Sequence, residues 1–146
     1  TSRKDFFKAV VGSMADICGE VADSKMQEPF AAQDSTLDES QFSHNSITDF
    51  TNNIKGISNA YLSTYNGTSG HSISELVKSK NASLDAKLQT QMAAAVAAFS
   101  LLNGTTFEKA IYDNKDKVTQ IQTAIRTLKA TLEGDLTTFV ETNIKD

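Results

Sequence analysis

Between Glu39 and Asp49 the chain crowds Glu39, Ser40, Ser43, His44, Asn45, Ser46 and Asp49 into eleven residues. The carboxylates and the imidazole could face a metal or another cation. An acid–base pair could be built from Glu39 and Asp49, or from Asp38, although acids beside a helix start more often serve its dipole. The hydroxyls and the amide could orient a ligand or a shared water. Capping is the competing explanation. Ser43 or Ser46 can cap the helix that follows, and Asp49 three residues after Ser46 resembles a capping box. Capping accounts for Ser43, Ser46 and Asp49. It does not require Glu39, His44 or Asn45.

Other constellations are weaker. His71 and Glu75 are four apart and could share a helical face, but Gly70 and Ser72 put His71 at or before the helix start. It is expected as a surface cap or turn residue. No HExxH or GxSxG motif is present. The single cysteine, Cys18, excludes an internal disulfide and a Cys-rich metal site. It lies on an apolar helix face, where a buried small residue is expected. NGTSG at 66–70 lacks the lysine and the preceding strand of a phosphate loop, so it reads as a turn. The sequons at Asn66, Asn81 and Asn103 are explained by chance and capping.

The elements that position these groups are helices. Phe7, Val10, Val11, Met14, Ile17, Cys18 and Val21 form one stripe and predict a helix over about 2–26. Pro29 is expected to stop it, with a loop over 28–41. Ile47, Phe50, Ile54, Ile57, Tyr61 and Leu62 predict a helix over 43–65. A short helix at 74–80, with Ser72 as cap, leads to one at 83–102 capped by Asn81 or Ser83 and ended by Asn103-Gly104. Ile111, Val118, Ile125, Leu132 and Phe139 recur every seven residues and predict a last element over 107–144. Asp113 to Asp116 and Gly134 are its weak points. Four long helices with short connections predict a single all-α domain, an up-and-down four-helix bundle.

The 146 residues suffice for one sizeable core. A net charge of −4 with scattered lysines argues against nucleic acid as the main partner. No apolar run approaches the roughly 20 residues a membrane span needs, so no transmembrane segment is expected. The chain opens at helical period without an initiator Met, as expected of a processed chain or of the C-terminal part of a longer one.

Four segments, MADICGEVADSKMQEPF (14–30), ESQFSHNSITDFTNNIKGISNAYL (39–62), SISELVKSKNASLDAKLQTQMAAAVAAFSLL (72–102) and FEKAI (107–111), resemble in order the imelysin-like family. These are bacterial proteins filed as peptidase family M75 and often called iron-regulated; the forms found in Bacteroidetes are the most similar. The resemblance implies two helical-bundle domains in a periplasmic protein or surface lipoprotein linked to iron uptake. The family's GxHxxE motif is absent, since in GHSISE Gly70 directly precedes His71 and the third residue beyond is Ser74. That motif belongs to the family's N-terminal half, so the resemblance implies a C-terminal half whose partner is the N-terminal one.

On this basis Glu39, Ser43, His44, Asn45 and Asp49 are expected to line part of a polar cleft that the other half completes. Glu39, Asp49 and His44 would face a metal or cation, with iron or another divalent metal as the candidate cofactor. Ser43 and Asn45 would orient a ligand or water. The expected function is a metal- or ligand-binding module. The alternatives are a metallopeptidase whose catalytic motif lies in the N-terminal half, and a structural or adhesion bundle. No catalytic residue is assigned in this chain.

Overall fold

The computed structural model describes residues 2–65 and 68–146. The protein is all-α. The Ser2 hydroxyl accepts the Asp5 N–H at 3.0 Å and starts α1, Arg3–Gly19. The helix runs on into a π-helical turn, Glu20–Lys25. Such a turn loosens the backbone ladder. The Gln122 carboxamide reaches it, donating to the Ala22 carbonyl at 3.0 Å and to Gln27 Oε1 at 2.8 Å.

Pro29 does not end this helix. It lies in the first turn of α2, Gln27–Ala32, where a missing N–H has no helical partner to lose. The stretch expected as loop therefore contains a short helix and then a 3-10 turn, Ser35–Leu37. Gln33 closes α2 at a φ of 52°, and its side-chain amide donates to the Phe30 and Ile111 carbonyls, both at 2.8 Å.

α3 spans Ser46–Leu62, shorter at both ends than its pattern suggests. β1 (Thr64–Tyr65) and β2 (Thr68–Ser69) form a minimal antiparallel pair. The turn expected at 66–70 and the Asn66 sequon fall partly outside the described residues. Ser72 and Glu75 form a full capping box on α4, Ile73–Lys80. The Asn81 side chain accepts the Leu84 N–H and starts α5, Ala82–Ala98, which tightens into a 3-10 turn, Phe99–Leu102. Gly104, at φ 85°, supplies the left-handed residue of the following turn.

The last element is interrupted where its sequence weakens. α6 (Phe107–Asp113) ends at Asn114 and α7 (Lys115–Thr131) begins at once. A π-helical turn at Leu132–Leu136, around Gly134, leads into α8, Thr137–Asn143. The seven-residue seam survives these joints: Ile111, Val118, Ile125, Leu132 and Phe139 are all buried.

Four rods pack in a ring: α1, α3, α5, and α7 continued by α8. Neighbours are antiparallel. Lys8–Glu141 (3.1 Å) and Arg126–Asp23 (2.6 Å) join opposite ends of the first and last rods. Tyr61 meets Asp85 where α3 ends and α5 begins. Phe107 carries α6 onto α3, meeting Phe50 edge-to-face at 5.3 Å. That contact matters for function, because it brings the α6 start beside the 38–45 loop.

Candidate functional site

The loop before α3 is fastened from beneath. Asp38 is 3 % exposed and Ser46, the first residue of α3, 1 %. The Ser46 hydroxyl donates to Asp38 Oδ2 at 2.6 Å instead of capping the helix. The carboxyl of Glu108, in the first turn of α6 and 9 % exposed, lies against that of Asp38. Asp38 Oδ1 and both Glu108 oxygens are buried and have no well-aligned protein donor. A single proton between the two acids satisfies two of these oxygens, Asp38 Oδ1 and the Glu108 oxygen that faces it. Asp38 Oδ1–H can donate to Glu108 while Oδ2 accepts from Ser46.

Electrostatics agree with that placement. Burial raises the Asp38 carboxyl to about 6, with the Glu108 charge adding and the Ser46 hydroxyl opposing. Burial also acts to raise Glu108. The Asp38 carboxyl, Glu108's own N–H, the Thr106 hydroxyl and the His44 ring stand near enough to outweigh burial and hold it below the ordinary glutamate value. While the pair holds one proton, that proton sits on Asp38 and the charge on Glu108.

Around the acids runs an exposed rim. His44 sits at φ 57°, an uncommon conformation for a residue with a side chain. Its N–H donates to the Ser40 carbonyl at 2.9 Å, and Nδ1 lies 3.4 Å from Glu108 Oε2 with the ring 60 % exposed. Asn45 occupies the position before α3, but its side chain makes no capping bond. Ser43 is exposed and donates weakly to the Ser40 carbonyl at 3.4 Å. Glu39 leans to Lys25 at 3.3 Å, and Asp49 accepts the Ser40 hydroxyl at 3.0 Å. Capping by Ser43 or a Ser46–Asp49 box, expected from sequence, does not occur, because each side chain is engaged within the loop. Leu37, Phe42 and Tyr112, large apolar side chains exposed among the described residues, lie on the segments that build this corner. The Tyr112 hydroxyl accepts the Ser35 N–H at 2.9 Å, fastening α6 to the 3-10 turn Ser35–Leu37.

The structure thus gathers the five sequence-derived site residues on one corner, with different partners. Glu39, Asp49 and His44 do not converge. Among the described residues no group of three His, Cys, Asp or Glu side chains is arranged to hold a metal ion. These residues do not fit an iron or other divalent metal centre. Glu108 is the contributor that sequence reasoning missed. A glutamate in a first helical turn reads as a dipole partner, and nothing local links it to Asp38.

Elsewhere, buried Asp85 accepts the Tyr61 hydroxyl (2.7 Å), the Ser74 hydroxyl (2.6 Å) and the Gln89 amide (2.9 Å). This network is satisfied and joins α3, α4 and α5. Cys18 is fully buried, and burial pushes its thiol up to about 12, so it is inert packing. His71 is exposed at a helix start, 3.3 Å from Glu75. An apolar recess of about 540 Å³ between α1, α3 and α4 is lined by Phe6, Phe7, Val10, Ile73 and Leu76, with His71 at its edge. No helix is long and apolar enough to cross a membrane among the described residues.

A family model described as imelysin, peptidase M75, matches residues 1–133. Among solved structures, the chain is similar to an imelysin peptidase from Bacteroides ovatus, with a TM-score of 0.79 and 25% identity, covering 98% of this chain and 46% of that one. It is also similar to a protein described as an iron-regulated protein A precursor from Parabacteroides distasonis. There the TM-score is 0.71 and the identity 25%, over 82% of this chain and 37% of that one. The chain thus spans less than half the length of either solved protein. No curated protein matches significantly.

Proposed function

The chain belongs to the imelysin family, peptidase M75, and on that premise we propose that it is a binding module of an exported, iron-linked system, taking its ligand at the Leu37–Asp49 corner. One observation carries the reading. An exposed rim of His44, Asn45, Ser43, Leu37 and Phe42 is mounted on a buried acid pair that capping and packing do not require. Helices need caps worth about 1 kcal/mol. They do not need two acids withdrawn from water, each costing several kcal/mol unless compensated. A rigid base beneath a polar and apolar rim suits a small ligand with hydrogen-bonding groups and an apolar face.

The ligand is held by hydrogen bonds and apolar contact, not by metal coordination, because the donors of this corner are each turned to a different partner. The description of one similar protein as an iron-regulated protein A precursor supports the iron-linked, exported setting. The peptidase in the other's name is said of that protein. Among the described residues of this chain no assembled catalytic group supports it.

The test is a heteronuclear NMR titration of the chain with a water-soluble fragment library, repeated for His44→Ala and Asn45→Ala. Shift changes should concentrate at residues 37–49 and Tyr112, and both variants should weaken the fragments that cause them. Fragments that perturb other surfaces equally, or that ignore both substitutions, would overturn the assignment.

A further inference from the structure

We propose that the Asp38–Glu108 pair is a proton-operated latch on this corner: a shared proton holds the 38–45 loop against α6, and its loss to solvent releases the loop. The proposal rests on the binding reading above, because it concerns the regulation of that surface.

The geometry carries it. The two acids come from different elements, the loop and α6, and both are buried. Of their three oxygens without a well-aligned donor, a proton between the acids satisfies two, Asp38 Oδ1 and the facing Glu108 oxygen. With it, Asp38 Oδ1–H donates to Glu108, and Ser46 donates to Oδ2. When the proton leaves to solvent, two buried carboxylates face one another and repel. Lifting the loop lets water reach Asp38 and relieves this. The fastenings that remain are light. They are the Gln41 N–H to the Asp38 carbonyl (3.3 Å), the Gln41 amide on the Thr36 carbonyl (3.1 Å), the His44 N–H to the Ser40 carbonyl (2.9 Å), Ser40 on Asp49, the Glu39–Lys25 pair and the exposed His44 ring beside Glu108 (3.4 Å), while Ser46 keeps Asp38 tied to α3 and not to α6. An exposed ion pair adds about 1 kcal/mol or less.

No nearby cation replaces the proton. Lys25, from the π-helical turn, is shared by Glu20 and Glu39. From α3, Asp49 is acidic and faces Ser40. From the loop, His44 touches Glu108 but is 60 % exposed. From α6, Glu108 itself is the facing charge.

Amide hydrogen exchange tests the latch, with rates corrected for intrinsic exchange at pH 5.0 and 7.5. Gln41 and His44 report on the loop, and α5 and α7 are internal references. Protection at the two loop amides should fall about tenfold relative to the references as pH rises, since the upper pH lies more than one unit above the pair's release point. Asp38→Asn and Glu108→Gln each replace the shared proton with an amide donor, so both should hold the pH 5.0 protection at either pH. The latch is overturned if wild type shows no relative fall or Asp38→Asn falls as wild type does. It is also overturned if His44→Gln, and not Asp38→Asn, abolishes the dependence. Neither readout uses a ligand. A corner that binds no fragment but loosens on schedule would sink the binding reading and leave the latch standing.

Discussion

Replacing Asp38 with asparagine should stabilise this protein at neutral pH while leaving it nearly unchanged in acid. Folding raises the Asp38 carboxyl from 3.8 to about 6. Between those values the folded state binds more protons than the unfolded chain, so this group's contribution falls as pH rises and is fully lost above about 6. Glu108 has the opposite sign, its folded value being lowered. Its contribution is present above the unfolded glutamate range and lost as pH falls through the folded value. The carboxamide of Asp38→Asn can donate to Glu108 and accept from Ser46, reproducing protonated Asp38 without titrating. A shift of about two units corresponds to about 3 kcal/mol. The stability of Asp38→Asn relative to wild type should therefore rise by up to about 3 kcal/mol from pH 4 to 7.5. At about 1–3 kcal/mol per molar urea, that moves the midpoint by roughly 1–3 M, readable by circular dichroism across a pH series. Asp38→Ala is the control. It does not titrate either, so its stability relative to wild type should rise with pH by a similar amount, but from a baseline about 1–3 kcal/mol below that of Asp38→Asn, because the Ser46 hydroxyl and the facing Glu108 oxygen lose their Asp38 partner. If Asp38→Asn parallels wild type across the series, the shared-proton account is wrong.

Other substitutions probe the frame that holds the corner. Tyr61→Phe removes one of three donors to Asp85 and should cost about 1–2 kcal/mol in urea denaturation, while Asp85→Ala should cost more by stranding Tyr61 and Ser74. Gln122→Ala uncouples α7 from the π-helical turn of α1 and should cost about 1–3 kcal/mol, with exchange rising first at residues 20–27. Asp23→Ala breaks contacts to Arg126 and Lys129 that are 30–42 % exposed and should change stability by less than about 1 kcal/mol, less still in high salt. Cys18 should resist iodoacetamide in native buffer and react fully in urea, as mass spectrometry would show.

The helical frame was legible because its signal is local and repeated. Every position of the seven-residue seam from Ile111 to Phe139 is buried, even across the break at Asn114 and the π-helical turn at Gly134. Ser72 caps the short helix as its position suggests, and of Asn81 and Ser83 it is Asn81 that caps the next one. Pro29 misleads because a proline that stops one helix also suits the first turn of the next. Ser46 misleads because a serine at a helix start reads as a cap, whereas tertiary contact gives its hydroxyl to Asp38. The corner's excess polarity was visible in Glu39, His44 and Asn45. Its foundation was not, because Glu108 reaches Asp38 through the packing of α6 on α3, and no local spacing encodes that contact.

The central claim is that the Leu37–Asp49 corner is the binding surface, and the main rival is the apolar recess at Phe6, Val10 and Leu76. Crystals of the chain soaked in several water-miscible organic solvents separate the two most directly, because bound probes mark the surfaces that release water most readily. The account predicts probe density from different solvents superimposed beside His44, Asn45 and Phe42. Probes that gather in the Phe6 recess and leave the corner to water would contradict it.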